Sequence, residues 1–261
     1  MKKPRISMIT VSYNSAKTIE RTIQSVRSQN YDNLDYVIID GGSTDGTQEI
    51  VSKYRDVVTT FISEKDNGIS DAFNKGIKNS DGDIVGIINS DDYLLPGALD
   101  KVAAAYDDKT DIYSGNIVIE DVLTGKRVKE VPSLKFPKIM LSPHIAHQGR
   151  FVAKKAYDKY GMYDEELHYM MDADFLERSY RNGAIFKYID AELAVFTIGL
   201  GVTSDNPQKK KKEKIHIAQN NGYCKIYAYL GYYNLLLRFH IKNVLNRIAP
   251  NLAQKLRYKK Q

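Results

Sequence analysis

The sequence predicts an α/β fold: a Rossmann-like mixed sheet flanked by helices, with a basic helical tail at the C-terminus. Three observations carry that reading. Apolar, β-branched runs alternate with amphipathic helical stretches between residues 6 and 88. Clusters of Asp, Asn, Ser and Gly follow the first, second and fourth of those runs, at the strand ends where open α/β sheets gather their ligands. Beyond Pro207 the composition turns basic and rich in tyrosine. With 261 residues, 43% of them hydrophobic, the chain can bury one substantial core and an appendage, but not two full domains. The main domain is therefore expected over residues 1–205 and the tail over 206–261.

Residues 6–13 read as a strand, and Asn14 and Ser15 offer a cap for a helix over 16–28. A second apolar run over 34–39 ends at Asp40 and the turn-rich Gly41-Gly42-Ser43-Thr44-Asp45-Gly46, which leads into a helix over 47–54. A third strand over 57–62, a helix over 69–79 and a fourth strand over 83–88 repeat the rhythm, which implies parallel pairing and right-handed crossovers. After Pro96 the pattern loosens. A helix over 97–106, a strand over 111–120, a turn at Thr124-Gly125 and a short strand into Val131 suit a mixed extension of the sheet. Helices over 154–160 and 171–182, the second stopped by Gly183, and a strand over 185–196 complete the domain. Residues 199–207 concentrate loop formers and mark the boundary. Beyond them, residues 209–212 are four lysines, and 223–248 interleaves Tyr, Leu and Ile with Lys225, Arg238, Lys242 and Arg247, a basic amphipathic helix suited to an interface.

The formal charge is +6, from 38 Lys and Arg against 32 Asp and Glu, and much of the excess lies in the tail. Such asymmetry favours an anionic surface. The interfacial tyrosines favour a membrane over nucleic acid, and each Lys or Arg near an anionic bilayer adds about 1 kcal/mol. A single cysteine, Cys224, leaves no disulfide framework and no thiolate metal cluster, which fits a reducing compartment. Residues 1–5 run into the first strand without the apolar stretch of a signal peptide, and no window reaches the ~18 apolar residues of a spanning helix. A cytoplasmic protein, peripheral on the cytoplasmic face of the membrane, is expected.

The sharpest chemical signal is Asn89-Ser90-Asp91-Asp92, after the fourth strand. Carboxylates at a strand end can hold Mg2+ or Mn2+, which prefer hard oxygen ligands and leave positions open for phosphate oxygens. Alternatively, Asp91 and Asp92 cap the turn before Leu94. Asp40, at the end of the second strand, is placed to accept a hydrogen bond from the imide of a uracil-type base, with Gly41 and Gly42 leaving room for a ligand. Thr10, Ser12, Tyr13 and Asn14 would line the same crevice and touch base and ribose.

Four blocks in order, Thr10-Val11-Ser12-Tyr13-Asn14, Ile39-Asp40-Gly41-Gly42-Ser43-Thr44-Asp45-Gly46, Asp66-Asn67-Gly68-Ile69-Ser70-Asp71-Ala72-Phe73-Asn74-Lys75-Gly76 and Asn89-Ser90-Asp91-Asp92, resemble family 2 glycosyltransferases. The resemblance covers roughly residues 5–200 and implies a GT-A fold, a nucleotide-diphosphate sugar donor, a divalent metal and inversion at the anomeric carbon. It carries ribose and metal contact to Asp91 and Asp92. Many members have Asp where this chain has Asn89, which leaves one charge fewer at the metal, and many have a second Asp where it has Gly41. The family's catalytic base, commonly the Asp of a Glu-Asp pair opening a late helix, corresponds to Asp172 in Met171-Asp172-Ala173-Asp174, with Asp174 paired to Arg178 one turn on. His-Gln pairs near donor or acceptor occur in related members, so His147, with His144 and Gln148, joins the candidates, beside a purely structural reading. Asp71, Asn74 and Lys75 share a helix and are candidates for donor sugar or phosphate contacts.

The resemblance thus implies a hexosyl- or N-acetylhexosaminyl-transferase using a UDP-sugar, with a glycan or polyprenyl-diphosphate-linked acceptor in O-antigen, capsule or exopolysaccharide assembly. A nucleotidyltransferase would also use strand-end aspartates, but the Gly-rich basic triphosphate loop it needs is not evident between Thr10 and Lys17. A noncatalytic nucleotide-sugar or nucleic-acid binding module is the remaining alternative.

Overall fold

The computed structural model describes residues 3–136, 145–199 and 209–248. Four parallel strands form its centre: β1 (Ile6–Ser12), β2 (Leu34–Asp40), β3 (Thr60–Ser63) and β4 (Ile84–Asn89), in the order β3-β2-β1-β4. Every residue of β1 is buried, as expected of a strand covered by helices on both faces. The helices between them are α1 (Ile19–Arg27), α2 (Thr47–Ser52) and α3 (Ile69–Lys78). In α1, Ile19, Thr22, Ile23 and Val26 are buried at i, i+3, i+4 and i+7, the stripe that seats an amphipathic helix on a sheet.

Beyond β4 the sheet turns mixed. The elements are β5 (Tyr93–Leu94), α4 (Ala98–Ala105), β6 (Ile112–Asp121), β7 (Lys126–Glu130), a single 3-10 turn at His147–Gly149, β8 (Arg150–Ala153), α5 (Lys154–Tyr160), α6 (Met171–Arg181) and β9 (Phe186–Ile198). β8 runs antiparallel between β4 and β6, β9 runs parallel to β6, and β5 closes the far edge against β9. One core cluster joins α1, α2 and α4 to one sheet face through Ile23, Val51 and Leu99; a second joins α3, α5 and α6 to the other through Phe73, Ala156 and Phe175.

Register fixes where function can sit. Ser12 lies opposite Asp40, Asp40 opposite Ser63, and Val11 opposite Asn89, so the carboxyl ends of β1 to β4 are flush. The chain runs from β1 to β2 on one side and returns to β4 on the other, and between diverging strands of this kind the loops leave a crevice.

The C-terminal tail is helical, as expected. The predicted boundary loop at 199–207 lies almost wholly outside the described residues, but the helix after it, α7 (Lys209–Asn220), is part of the main core through Ile217 and Ala218. Glu213 fixes it: its carboxylate accepts the backbone N–H groups of His168, Tyr169 and Met170 at 3.0, 2.9 and 2.8 Å. The four-lysine run therefore opens a helix docked against the loop that precedes α6. The final helix, α8 (Lys225–Ile248), buries Ala228 and Tyr232 and leaves much of its apolar surface open.

Candidate active site

The loop after β4 separates the two neighbouring aspartates. Asp92 is fully buried, and both of its carboxylate oxygens are already engaged: Oδ1 accepts the Thr197 backbone N–H at 2.8 Å and Oδ2 accepts Nε2 of Gln148 at 2.9 Å. Burial, with the charge of Asp91 beside it, pushes the Asp92 carboxyl up to about 7. Asp91 is only part-buried, its backbone carbonyl is held by Arg21 at 2.7 Å, and its carboxylate is met by its own backbone N–H. Burial raises its carboxyl too, with His147 and Arg21 pulling the other way. Of the two expected metal ligands, Asp92 links the β4 loop to β9, and Asp91 offers the more accessible carboxylate.

A divalent ion fits Asp91. Its oxygens are hard donors, and a carboxylate made reluctant to ionise by burial gains most from a nearby cation. Among the described residues no group of three or more His, Cys, Asp and Glu could hold a metal, so an ion there would complete its shell with water and ligand oxygens, as Mg2+ commonly does. Asn89 Oδ1 is buried with no hydrogen-bond partner, one more oxygen facing no donor in this loop.

The Asp92 shift has a consequence for stability. Its folded pKa, about 7, lies above the ~4 of an unfolded aspartate, so the fold holds this proton more tightly than the unfolded chain does. The associated stability is complete below pH ~4 and lost as pH rises through about 7. In metal-free buffer Asp92→Asn is expected to melt above the parent protein at pH 8, with the gap closing toward pH 4, because a neutral amide carries no buried charge and Gln148 can meet it by turning its own amide. Calorimetric Tm values across that range check this; a gap independent of pH contradicts it.

Asp172 stands at the start of α6, its side chain 28% exposed, between Arg150 and His147. The buried Arg150 guanidinium, from the first residue of β8, pairs with Oδ1, and His147 Nδ1 lies 3.2 Å from Oδ2. Burial alone would raise this carboxyl, but Arg150 and His147 together hold it below the usual carboxylate range, so it is ionised at neutral pH. Arg150 is itself positioned by the Tyr163 hydroxyl at 2.8 Å, and the His147 ring packs on Phe73 of α3 at 5.9 Å between centroids. His147 Nε2 is buried without a partner, which leaves a ring nitrogen for a ligand. The His147 ring lowers the pKa of Asp91 as well as that of Asp172, so the two carboxylates share one histidine in their electrostatic surroundings. Asp174 pairs with Arg178 at 3.0 Å, as the i, i+4 spacing predicts.

Other expected residues do different work. Asp40 is fully buried and accepts four hydrogen bonds, from the hydroxyls of Ser12, Ser43 and Ser63 and the backbone N–H of Ser43, so it ties three strand ends together and has no face toward a base. Ser12 is one of its donors. Thr10 is fully buried with its hydroxyl on that of Tyr36, inside the α1 face of the sheet. Asn14, at φ 48°, accepts the Thr44 N–H through Oδ1 and donates its own N–H to Ser43, bridging the first two loops. Tyr13, by contrast, is 66% exposed at the crevice edge. Asn74 spends its amide on both backbone groups of Tyr163, and Lys75 pairs with Asp71 and Glu64; Asp71 also accepts the Asn67 N–H. These three brace α3 against neighbouring loops. His144 lies outside the described residues. The sequence points to no role for Arg150 or Glu213; Arg150 stands at the edge of the His-Gln patch, whereas Glu213, a lone acid in a lysine run, carries a signal that only its partners make legible.

A family model described as glycosyl transferase family 2 matches residues 7–164. EpsH of Bacillus subtilis, named as a glycosyltransferase, is 30% identical over 128 residues, 48% of this chain and 37% of that protein. TuaG of Bacillus subtilis, named for teichuronic acid biosynthesis, is 34% identical over 102 residues, 38% of this chain and 40% of that protein. The chain thus spans well under two thirds of the length of either relative. The crystal structure of S. aureus TarS in complex with UDP-GlcNAc matches with a TM-score of 0.66 at 22% identity, over 89% of this chain and 71% of that chain, a likeness of fold.

Proposed function

This chain belongs to glycosyl transferase family 2, with the GT-A fold of its structural neighbours, and we propose that it transfers a sugar from a UDP-sugar, with inversion, to a glycan or lipid-linked acceptor in cell-surface polysaccharide assembly. The observation that supports this reading most is Asp172: an ionised carboxylate oriented by Arg150 and His147, the histidine that also acts electrostatically on Asp91. In the proposed step Asp172 takes the proton of the acceptor hydroxyl, the acceptor oxygen forms its bond to the anomeric carbon, and the bond from that carbon to the diphosphate breaks, its electron pair leaving with UDP. Asp91 would hold the Mn2+ or Mg2+, whose chemistry is to neutralise charge on the departing diphosphate. UDP is favoured because TarS binds UDP-GlcNAc, and a polymer acceptor because TuaG is named for one.

Attachment to the membrane surface is part of the same proposal. Ile226, Leu230, Tyr233, Leu237, Ile241, Val244 and Ile248 are all exposed and recur at three- and four-residue steps along α8, and no acidic residue follows Glu213. Among the described residues no helix is long and apolar enough to cross a bilayer, so the helix would lie along the surface. Leu237→Glu is expected to release the protein from sedimenting vesicles rich in anionic lipid; equal sedimentation of both forms contradicts the attachment. The test of the reaction is a panel of UDP-, GDP- and CDP-sugars assayed for diphosphate release with Mn2+ or Mg2+. A UDP-sugar is the expected positive, and turnover only with another nucleotide contradicts the donor assignment.

A further inference from the structure

The structure removes Asp40 from base recognition and puts another carboxylate in reach of the place it was expected to serve. Gly41, directly after β2, has no side chain, and a Cβ built there would lie 2.5 Å from Oδ2 of Asp66 and 3.3 Å from Cδ2 of Tyr13. The Asp66 carboxylate and the Tyr13 ring therefore converge over the bare Gly41 backbone, which leaves room for both. Asp66 follows β3 and is half-buried. Its Oδ1 accepts the Gly68 N–H at 3.0 Å, which fixes the rotation of the carboxyl group and leaves Oδ2 with no donor among the described residues. Tyr13 presents an exposed flat ring beside it. This pair sits at the β2–β3 end of the crevice, whereas Asp91 follows β4 on the opposite side of β1.

We propose that Asp66 is the base-specificity residue of the donor site: its Oδ2 accepts the imide N3–H of a uracil-type base stacked against Tyr13. The assignment rests on the nucleotide-sugar reading and deepens it. With the diphosphate at Asp91, the nucleoside extends across β1 toward Gly41, where a flat ring needs an aromatic face and one hydrogen-bond acceptor. The single open oxygen sets the choice. Cytosine presents an acceptor at N3, which a carboxylate repels. Guanine presents two adjacent donors that call for both carboxylate oxygens, and Gly68 already holds one.

Two variants test it through titration calorimetry of UDP, CDP and GDP with Mn2+ present. The parent protein is expected to bind UDP in preference to both others. In Asp66→Asn the Gly68 N–H keeps Oδ1 of the new amide, so Nδ2 takes the position of Oδ2 and a donor replaces the acceptor. UDP then weakens roughly tenfold or more, CDP tightens, and the UDP:CDP ratio falls, a change that a loosened loop alone does not produce. Gly41→Ala displaces the flexible end of Asp66 and crowds the Tyr13 ring, and is expected to weaken UDP with no gain for CDP. Should the parent bind UDP while both variants keep its UDP:CDP ratio, the role of Asp66 is overturned and the UDP-sugar reading stands. A parent protein that prefers CDP or GDP, or binds none of the three, overturns both.

Discussion

Asp172→Asn is expected to lower kcat by about 10²–10⁴-fold while leaving Kd for the UDP-sugar within a factor of about two. The substitution keeps the shape of the side chain and an oxygen for Arg150, so α6 and its N-terminal loop, anchored independently by Glu213, stay in place. What it removes is the carboxylate proposed to take the acceptor proton as the new bond forms. The low pKa of Asp172 adds a second expectation. Because Arg150 and His147 keep it ionised, protonation of this group contributes no fall in activity until pH drops below the ordinary carboxylate range. Rapid-quench turnover paired with calorimetric donor binding separates the two effects. Wild-type turnover in the variant contradicts the assignment of the base, and parallel loss of binding and turnover points to a structural role.

Asp91→Asn is expected to have the next largest effect, a loss of about 10²–10³-fold in kcat/KM together with a weakened dependence on added Mn2+. The argument rests on the difference between two adjacent residues. Asp92 has both oxygens satisfied by Thr197 and Gln148, whereas the part-buried Asp91 carboxylate is met only by its own backbone N–H among the described residues. Turnover measured over a Mn2+ titration checks it. Unchanged apparent metal affinity in Asp91→Asn contradicts its role as the ligand.

Most of the fold was legible in the sequence because the strands that build it are buried on both faces. Continuous β-branched runs such as Ile6–Ser12 have few alternatives to a parallel central strand. β5 and β8 were not legible: one is two residues long, and the other opens on Arg150, a charge that only the pairing with Asp172 makes tolerable in a buried strand. α7 escaped for a related reason, since its lysines read as a solvated face and its docking depends on Glu213 meeting three N–H groups some 45 residues away. Within the site, Asp172 and His147 were each legible as candidates through the family resemblance, while their pairing was not, since it joins residues 25 positions apart. The part played by Asp40 was not legible either, because a strand-end carboxylate looks the same whether it faces a ligand or gathers Ser12, Ser43 and Ser63, which only the strand order brings together. Likewise nothing local to Asp66 reveals that the absence of a side chain at Gly41 makes space for it.

The central claim is that loops from β1, β3 and β4 and the start of α6 enclose one UDP-sugar, with its diphosphate at Asp91 and its anomeric carbon toward Asp172. A crystal grown with UDP and Mn2+, with the metal located by anomalous scattering, tests it most directly. The account predicts a manganese peak at Asp91 that also touches diphosphate oxygens, with Asp172 across the same crevice. Manganese bound away from Asp91, or UDP in a cavity that Asp172 does not face, contradicts it.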